Sequence, residues 1–364
     1  MVENQTPKRL LIVLNRMDLA TSYVRGLQFQ TLFANDKNFE ATFVSRMPAW
    51  LISLERIWPR RRWLGWPIRW FSKFWINRQD AKVVRLAKNS DLVYLITVPS
   101  YQLHRRLKQL SVPVVHDLID AVWLPWFQKL GWENIEKILS TSDAVICDND
   151  ITAKHVSQYN RRVFVSPDSP QLSVFDSQRT QVEKPADRVV IGWIGGQNTA
   201  DALYKIFEPL ETLFKKYSHI HLRILGVTEE ALPRFENVRY SVLPNYSQSV
   251  LVKEALAMHI GLFPQFDVTE SEHRGTLKAK IYMSAQAVAV CENIGANPSL
   301  IEDGQTGCLA STAGDWFEKL SWLIEDAGAR DRIATAGLAT IRNEYSEEKC
   351  YERLRSILSE VLGL

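Results

Sequence analysis

Only four cysteines, Cys147, Cys291, Cys308 and Cys350, occur in 364 residues, and none form a C-x-x-C pair. That scarcity and scatter fit reduced, mostly buried thiols in a cytosolic protein better than a disulfide or zinc framework. Long apolar runs are also missing. Stretches such as Leu10–Leu14 and Ala287–Cys291 fall far below the ~20 residues of a membrane span. The opening MVENQTPKRLLIVLN turns polar at Asn15 and Arg16, too soon for a secretory signal. There is no G-x-S-x-G turn, which disfavours an α/β-hydrolase. Seven histidines without H-x-x-x-H spacing or clustered carboxylates argue against a dedicated metal site. No repeat of 20–50 residues and no low-complexity segment interrupts the chain.

What is present is an ordinary globular composition, 46% hydrophobic and 23% charged. At roughly 100–200 residues per domain the length suggests two domains. The net charge of +3 conceals a division. Residues 1–170 carry 24 Lys/Arg against 15 Asp/Glu, whereas residues 171–364 carry 20 against 26. Nine of the twelve tryptophans also lie before residue 171. One half therefore faces an anionic partner, a membrane or a nucleic acid, unless the charge is merely scattered unevenly.

Short continuous Val/Ile/Leu runs separated by amphipathic stretches mark parallel sheets covered on both faces. The first half offers strands at 10–15, 40–45, 91–97, 112–116, 144–148 and 162–166, with a helix at 23–33. Residues 167–187 are polar, hold three prolines and read as a linker. The pattern restarts with strands at 189–193, 219–225, 259–263 and 287–291. Helices are expected at 200–216, 251–258, 276–285, 312–326, 329–344 and 346–362. The reading is an α/β protein of two Rossmann-like domains: residues 1–167, a linker at 168–187, residues 188–345, and a C-terminal helix at 346–364.

Three places could carry chemistry. His273–Leu309 holds a basic loop with Arg274 and Gly275, then a helix opening near Thr276 with Lys278 in its first turn. A helix N-terminus preceded by Arg and Gly favours an anion, although a solvated basic turn would look the same. Gly195–Gly196 follows a strand, but G-W-I-G-G-Q-N is not G-x-G-x-x-G. The pair reads either as backbone approaching phosphates or as a plain tight turn. His116, Asp117 and Asp120 follow a strand expected to end at His116, where open α/β sheets place ligand loops. One of them could receive a hydroxyl proton or steady developing positive charge. Alternatively Asp120 caps a helix and His116 is a satisfied strand-end residue. Asp148 and Asp150, flanking Asn149, suit a loop role better than a magnesium site.

The segment HRGTLKAKIYMSAQAVAVCENIGANPSLIEDGQTGCL resembles the donor-site region of GT-B nucleotide-sugar glycosyltransferases, particularly family 4, group 1. That family's K-x-L-E-Y-M-A-x-G-x-P-V-V and G-x-x-E-L-I-x-D-G-x-x-G-x-L runs are matched at Lys278, Tyr282, Met283, Ile301–Gly304 and Gly307. IGWIGGQNTADAL resembles the opening of its C-terminal domain, and VPVVHDLIDAVW with SDAVICDNDITAKHV resembles its N-terminal domain. The resemblance implies two domains facing across a cleft, with the C-terminal helix crossing back to the first. It implies a retaining transfer from a nucleotide-diphosphate sugar to a lipid-linked or polysaccharide acceptor, without a metal or other cofactor. The donor residues it implies are Gly195, Gly196, Gln197, Asn198, Arg274, Lys278, Tyr282, Asn297 and Glu302. Arg274 and Lys278 would stabilise the leaving diphosphate, and Glu302 would organise the loop before Gly304. The family's Glu-x7-Glu pair would fall at His273 and Ile281, so neither glutamate is present. A non-catalytic subunit of the same fold that binds a partner or lipid, and a nucleotide-sugar epimerase, are the rival readings.

Residues 56–88 hold ten Lys/Arg, five tryptophans and a single acid, Asp80. With a helix starting near Pro67, Trp66, Trp70 and Phe74 align, while Arg69 and Lys73 fall outside their arc. An aromatic face beside a basic one describes an interfacial helix on anionic lipid, with Arg60–Arg62 adding charge. A core-facing stripe and a single-stranded nucleic-acid surface are the alternatives; no RNA-binding motif accompanies the segment, so no nucleic-acid partner is expected. The expectation is a protein on the inner face of the plasma membrane, held peripherally.

Overall fold

The computed structural model describes residues 6–47, 50, 65–128, 131–266 and 269–364, with the backbone alone for 65–70. The chain forms two compact units. One comprises Met1–Asp168 together with Cys350–Leu364, the other Ser169–Lys349.

The first unit is built on β1 (Lys8–Arg16), β2 (Phe39–Met47), β3 (Leu92–Ile96), β4 (Val114–Leu118), β5 (Ala144–Cys147) and β6 (Val163–Val165). All pair in parallel, in the order β2-β1-β3-β4-β5-β6. The second is built on β7 (Val189–Ile194), β8 (Ile220–Leu225), β9 (Tyr240–Leu243), β10 (Ile260–Phe263), β11 (Val288–Glu292) and β12 (Cys308–Ala310). These are also parallel, in the order β12-β11-β10-β7-β8-β9. Every residue of β3, β4, β7, β10 and β11 is buried. Helices on both faces require apolar side chains on both, which accounts for the unbroken Val/Ile/Leu runs. In each sheet the strand order reverses beside the first strand, between β1 and β3 and between β7 and β10. Ligands of doubly wound sheets bind outside the carboxyl ends of strands at such a point.

Several local expectations shift. The helix expected at 23–33 is broken into Ala20–Arg25, a 3₁₀ turn at Leu27–Phe29 and Gln30–Asn35. Strand β4 begins and ends two residues later than expected, which moves His116 and Asp117 into its interior. Strands β9 and β12 are additions. The segment read as a linker contains the helix Leu172–Arg179, whose Leu172 and Phe175 are buried in the second unit's core. The final helix, Glu347–Leu362, returns to the first unit. There Tyr351 meets the Phe33 ring edge-on at 4.9 Å, and Asp36 accepts from the Tyr351 hydroxyl at 2.8 Å and from Arg355 Nε at 2.7 Å. All four cysteines are buried.

Candidate functional site

In the second unit, the turn after β7 lies at the strand reversal. Trp193, near the end of β7, is buried, and its ring lies directly under Gly195, where a Cβ would come within 2.0 Å of it. Only glycine fits there. Gly196 has open space on its Cβ side, and it and its neighbours Gln197 and Asn198 are exposed. Thr199 closes the turn. Its hydroxyl donates to Gly196 O at 3.0 Å and accepts from Gly196 N at 3.1 Å and from Lys278 Nζ at 3.3 Å.

Lys278 sits in the first turn of the helix Leu277–Ser284. Its ammonium lies 5.2 Å from the centre of the Trp193 ring and 5.5 Å from that of Phe263. The two aromatic faces supply partial cation–π compensation. Among the described residues no carboxylate lies in ion-pair range of it. Burial, and secondarily the nearby charge of Arg274, push its pKa down to about 7. Arg274 itself is held by Glu270, one helical turn earlier, at 2.9 Å. The expected basic pair is therefore unequal: Arg274 is paired with a carboxylate and, among the described residues, Lys278 is not.

Other expected donor residues are engaged inside the fold. Tyr282 is completely buried; its hydroxyl accepts from Ile194 N at 2.8 Å and donates to Leu262 O at 3.0 Å. Its ring lies so close to Gly261 that a Cβ there would sit 2.0 Å away. Tyr282 thus ties the ends of β7 and β10 together and is not open to a ligand. Asn297, also buried, donates from Nδ2 to Gln265 Oε1 at 2.8 Å and to Glu292 O at 2.9 Å, bracing two loops. Glu302 is exposed, and among the described residues its backbone and side chain bond within its own loop, to Gln305 and Thr306. Of the two positions where the family's glutamates would fall, His273 is buried and Ile281 packs on the core. Lys205, which the sequence did not single out, donates to Glu292 Oε1 at 2.7 Å and to Gln265 O at 3.1 Å. Burial raises the Glu292 pKa against the opposing pull of Lys205.

The first unit places its expected residues differently. His116 is fully buried, with Nε2 3.1 Å from Nδ1 of His104, whose Nε2 lies 2.7 Å from Thr141 Oγ1. Burial drives the His116 pKa well down and that of His104 to about 4, so both rings are neutral near pH 7. His116 is corrected to a core residue, out of reach of any hydroxyl outside. Asp117 is corrected likewise. Arg25 donates to both its oxygens, at 2.9 and 2.8 Å, and the Tyr94 hydroxyl donates to one of them. Arg25 also donates to Asp168 at 3.2 Å and to the Ser166 carbonyl. Sequence reading missed Arg25, Tyr94 and Asp168 because they converge on Asp117 from distant segments. Asp120 alone lies in the loop beyond β4, half-buried, with a left-handed backbone at φ +65°. Strain of that kind in a non-glycine residue clusters at functional sites. Among the described residues no group of three or more His, Cys, Asp or Glu is arranged to hold a metal ion.

Within the aromatic–basic segment, Gly65–Ala87 form one helix. Lys73 and Phe74 are exposed, Phe74 by 50%. The side chains of Trp66, Arg69 and Trp70, and residues Arg60–Arg62, lie outside the described residues. Among the described residues no helix is long and apolar enough to cross a membrane.

No protein-family model matches the chain, and no curated protein matches it in sequence. Solved structures do match it in fold. A glycosyltransferase from Rickettsia africae ESF-5 superposes with a TM-score of 0.68 at 12% identity, covering 98% of this chain and 99% of that one. A UDP-forming α,α-trehalose-phosphate synthase from Burkholderia vietnamiensis gives 0.66 at 13%, covering 98% and 100%. Anabaena HepE bound to UDP gives 0.63 at 14%, covering 97% and 100%. The fold is GT-B, the two-Rossmann-domain fold of these glycosyltransferases.

Proposed function

We propose that the protein is a glycosyltransferase that takes a sugar from a nucleoside-diphosphate donor held on the second unit. The observation that carries this reading is Lys278: a cation with no carboxylate in ion-pair range among the described residues, beside an open glycine turn at the strand reversal. A cation held there is unfavourable for the empty protein and favourable once a diphosphate arrives. Gly196, with Gln197 and Asn198 exposed beside it, leaves room for close approach of the phosphates. During transfer the acceptor hydroxyl oxygen bonds to the sugar as the sugar–phosphate bond breaks, and Lys278, with the Glu270-paired Arg274 nearby, stabilises the charge developing on the departing diphosphate. That electrostatic role requires no metal ion. Binding of UDP by fold neighbours such as HepE supports a uridine nucleotide as the first donor to try. The His273–Leu309 resemblance supports retention of configuration and a lipid-linked or glycan acceptor. In the first unit Asp120 is the candidate to receive the acceptor proton.

Calorimetric titration of UDP, GDP and ADP into the wild type and Lys278→Met tests the donor site. Binding of one nucleotide that the variant loses supports it; equal affinity in both overturns it. The absence of carboxylates at positions 273 and 281 favours a second reading, a nucleotide-binding protein without transferase activity. The two separate on whether wild type that binds a nucleotide also releases it from the matching nucleotide sugar.

A further inference from the structure

We propose that the helix Gly65–Ala87 carries a docking stripe for an anionic lipid bilayer, aromatic at one end and cationic at the other. At ~100° per residue, Phe71, Phe74, Trp75, Arg78, Lys82 and Arg85 fall within an arc of roughly 100°. Buried Ser72, Asp80, Val83 and Ala87 occupy the opposite side, so the helix is anchored there and the stripe lies on the side away from it. Within this stripe aromatic and basic residues succeed one another along the axis.

Two features identify the occupant. Phe71 and Phe74 are 42% and 50% exposed, and Trp50, 43% exposed, joins them, its ring 6.0 Å from Phe71 and 5.5 Å from Trp75. A clustered, exposed aromatic end matches the headgroup–acyl boundary. The charge is one-sided as well. Lys73, Arg78, Lys82, Arg85 and Lys88 are all exposed. The single acid of this helix, Asp80, is buried and neutralised by Arg46 at 2.7 and 3.0 Å. Arg78 marks the junction, its guanidinium 5.4 Å from the centre of the Trp75 ring. Among the described residues of this helix the exposed charges are all cationic, which complements a leaflet rich in acidic headgroups. The inference rests on this helix alone and stands whether or not the second unit binds a nucleotide.

Co-sedimentation of the full chain with phosphatidylcholine vesicles, with and without phosphatidylglycerol, tests it. Binding is expected only with phosphatidylglycerol and weakens as salt rises. Lys82→Glu is expected to lower partitioning roughly tenfold, since it removes an attraction and adds a repulsion at the surface. Lys37→Glu, elsewhere in the first unit, is expected to change it by no more than about twofold. Phe74→Ser is expected to reduce binding with the melting temperature unchanged. Equal effects of the two lysine reversals would reduce the stripe to net charge and overturn the proposal. So would tighter binding of a mixed-sequence single-stranded RNA than of the acidic vesicles at the same salt. Full vesicle binding by Phe74→Ser, or no binding by the wild type, would overturn it too.

Discussion

The two sheets reverse strand order at equivalent points, yet they treat charge there in opposite ways. Beside β1 and β3, Arg25 is enclosed with Asp117, Asp168, Tyr94 and a backbone carbonyl, so the charges neutralise each other inside the protein. Beside β7 and β10, Lys278 meets a hydroxyl and two aromatic rings but no described carboxylate. An enclosed, paired charge fixes local geometry, and a ligand has nothing to gain by reaching it. A cation without its counter-ion is stabilised by whatever anion arrives. Fold alone therefore does not say which carboxyl-end loops bind; the state of the charge does.

The strongest way to break this comparison is to unpair the first unit. Arg25→Ala strands Asp117 in the core, and breaking a buried pair from one side costs about 3–5 kcal/mol. Denaturant unfolding should show that loss. A loss below about 1 kcal/mol, within the range of exposed pairs, would mean the network is solvated and the contrast false.

Lys278→Met should act in the opposite sense on stability. The variant is expected to unfold at a higher temperature than the empty wild type, because a desolvated cation is replaced by an apolar side chain of similar length. Its affinity for the nucleoside diphosphate should fall by about 1.5–3 kcal/mol, the scale of a hydrogen bond to a charged group. A variant that is both less stable and equally able to bind would make Lys278 a structural residue.

The pH dependence sharpens the same point. In the folded protein the Lys278 ammonium loses its proton near pH 7, well below the usual 10.5. Nucleotide affinity should therefore fall as pH rises through about 7, by at most about tenfold per pH unit. Stability has the reverse slope. Between about 7 and 10.5 the unfolded chain holds the proton that the folded one has released, so Lys278 makes stability rise with pH there. Below about 7 its cost is complete. Lys184, half-buried and also depressed to about 7, adds a slope of the same sign. Only the difference between wild type and Lys278→Met isolates the site. Parallel curves for the two proteins would refute the assignment.

Much of the fold was legible in the chain because buried parallel strands leave unbroken apolar runs. Errors arose where a polar residue was stabilised from far away. The run VPVVHD looks finished at His116, but β4 continues because Arg25, 92 residues earlier, neutralises Asp117. Nothing local to Asp117 reveals that pairing. The helix Leu172–Arg179 was hidden by the prolines around it, although Leu172 and Phe175 stand one turn apart and enter the core together. At the turn after β7, Gly195 and Gly196 stand out as a glycine pair behind a strand, and Lys278 as a lysine opening a helix behind a basic loop. Tyr282 and Asn297 were selected by resemblance to a motif, and their contacts are internal.

Glu302 gives the smallest expected effect and the finest discrimination. The resemblance places it in a segment that closes near the donor, whereas its contacts here are with its own loop. That loop does not depend on the carboxylate. Glu302 O accepts from Gln305 N and Thr306 N, and Asp303 accepts from Leu309 N at 2.9 Å and from Lys319 at 2.6 Å. An exposed substitution that leaves such bonds intact changes stability by no more than about 0.5 kcal/mol. Glu302→Gln should accordingly bind nucleotide like the wild type, with a slight fall in melting temperature as the bond to Gln305 weakens. If instead turnover or nucleotide affinity drops sharply while the melting temperature holds, the carboxylate touches the donor. The second unit would then present a negative as well as a positive group, and Lys278 would no longer be the feature that separates the two sheets.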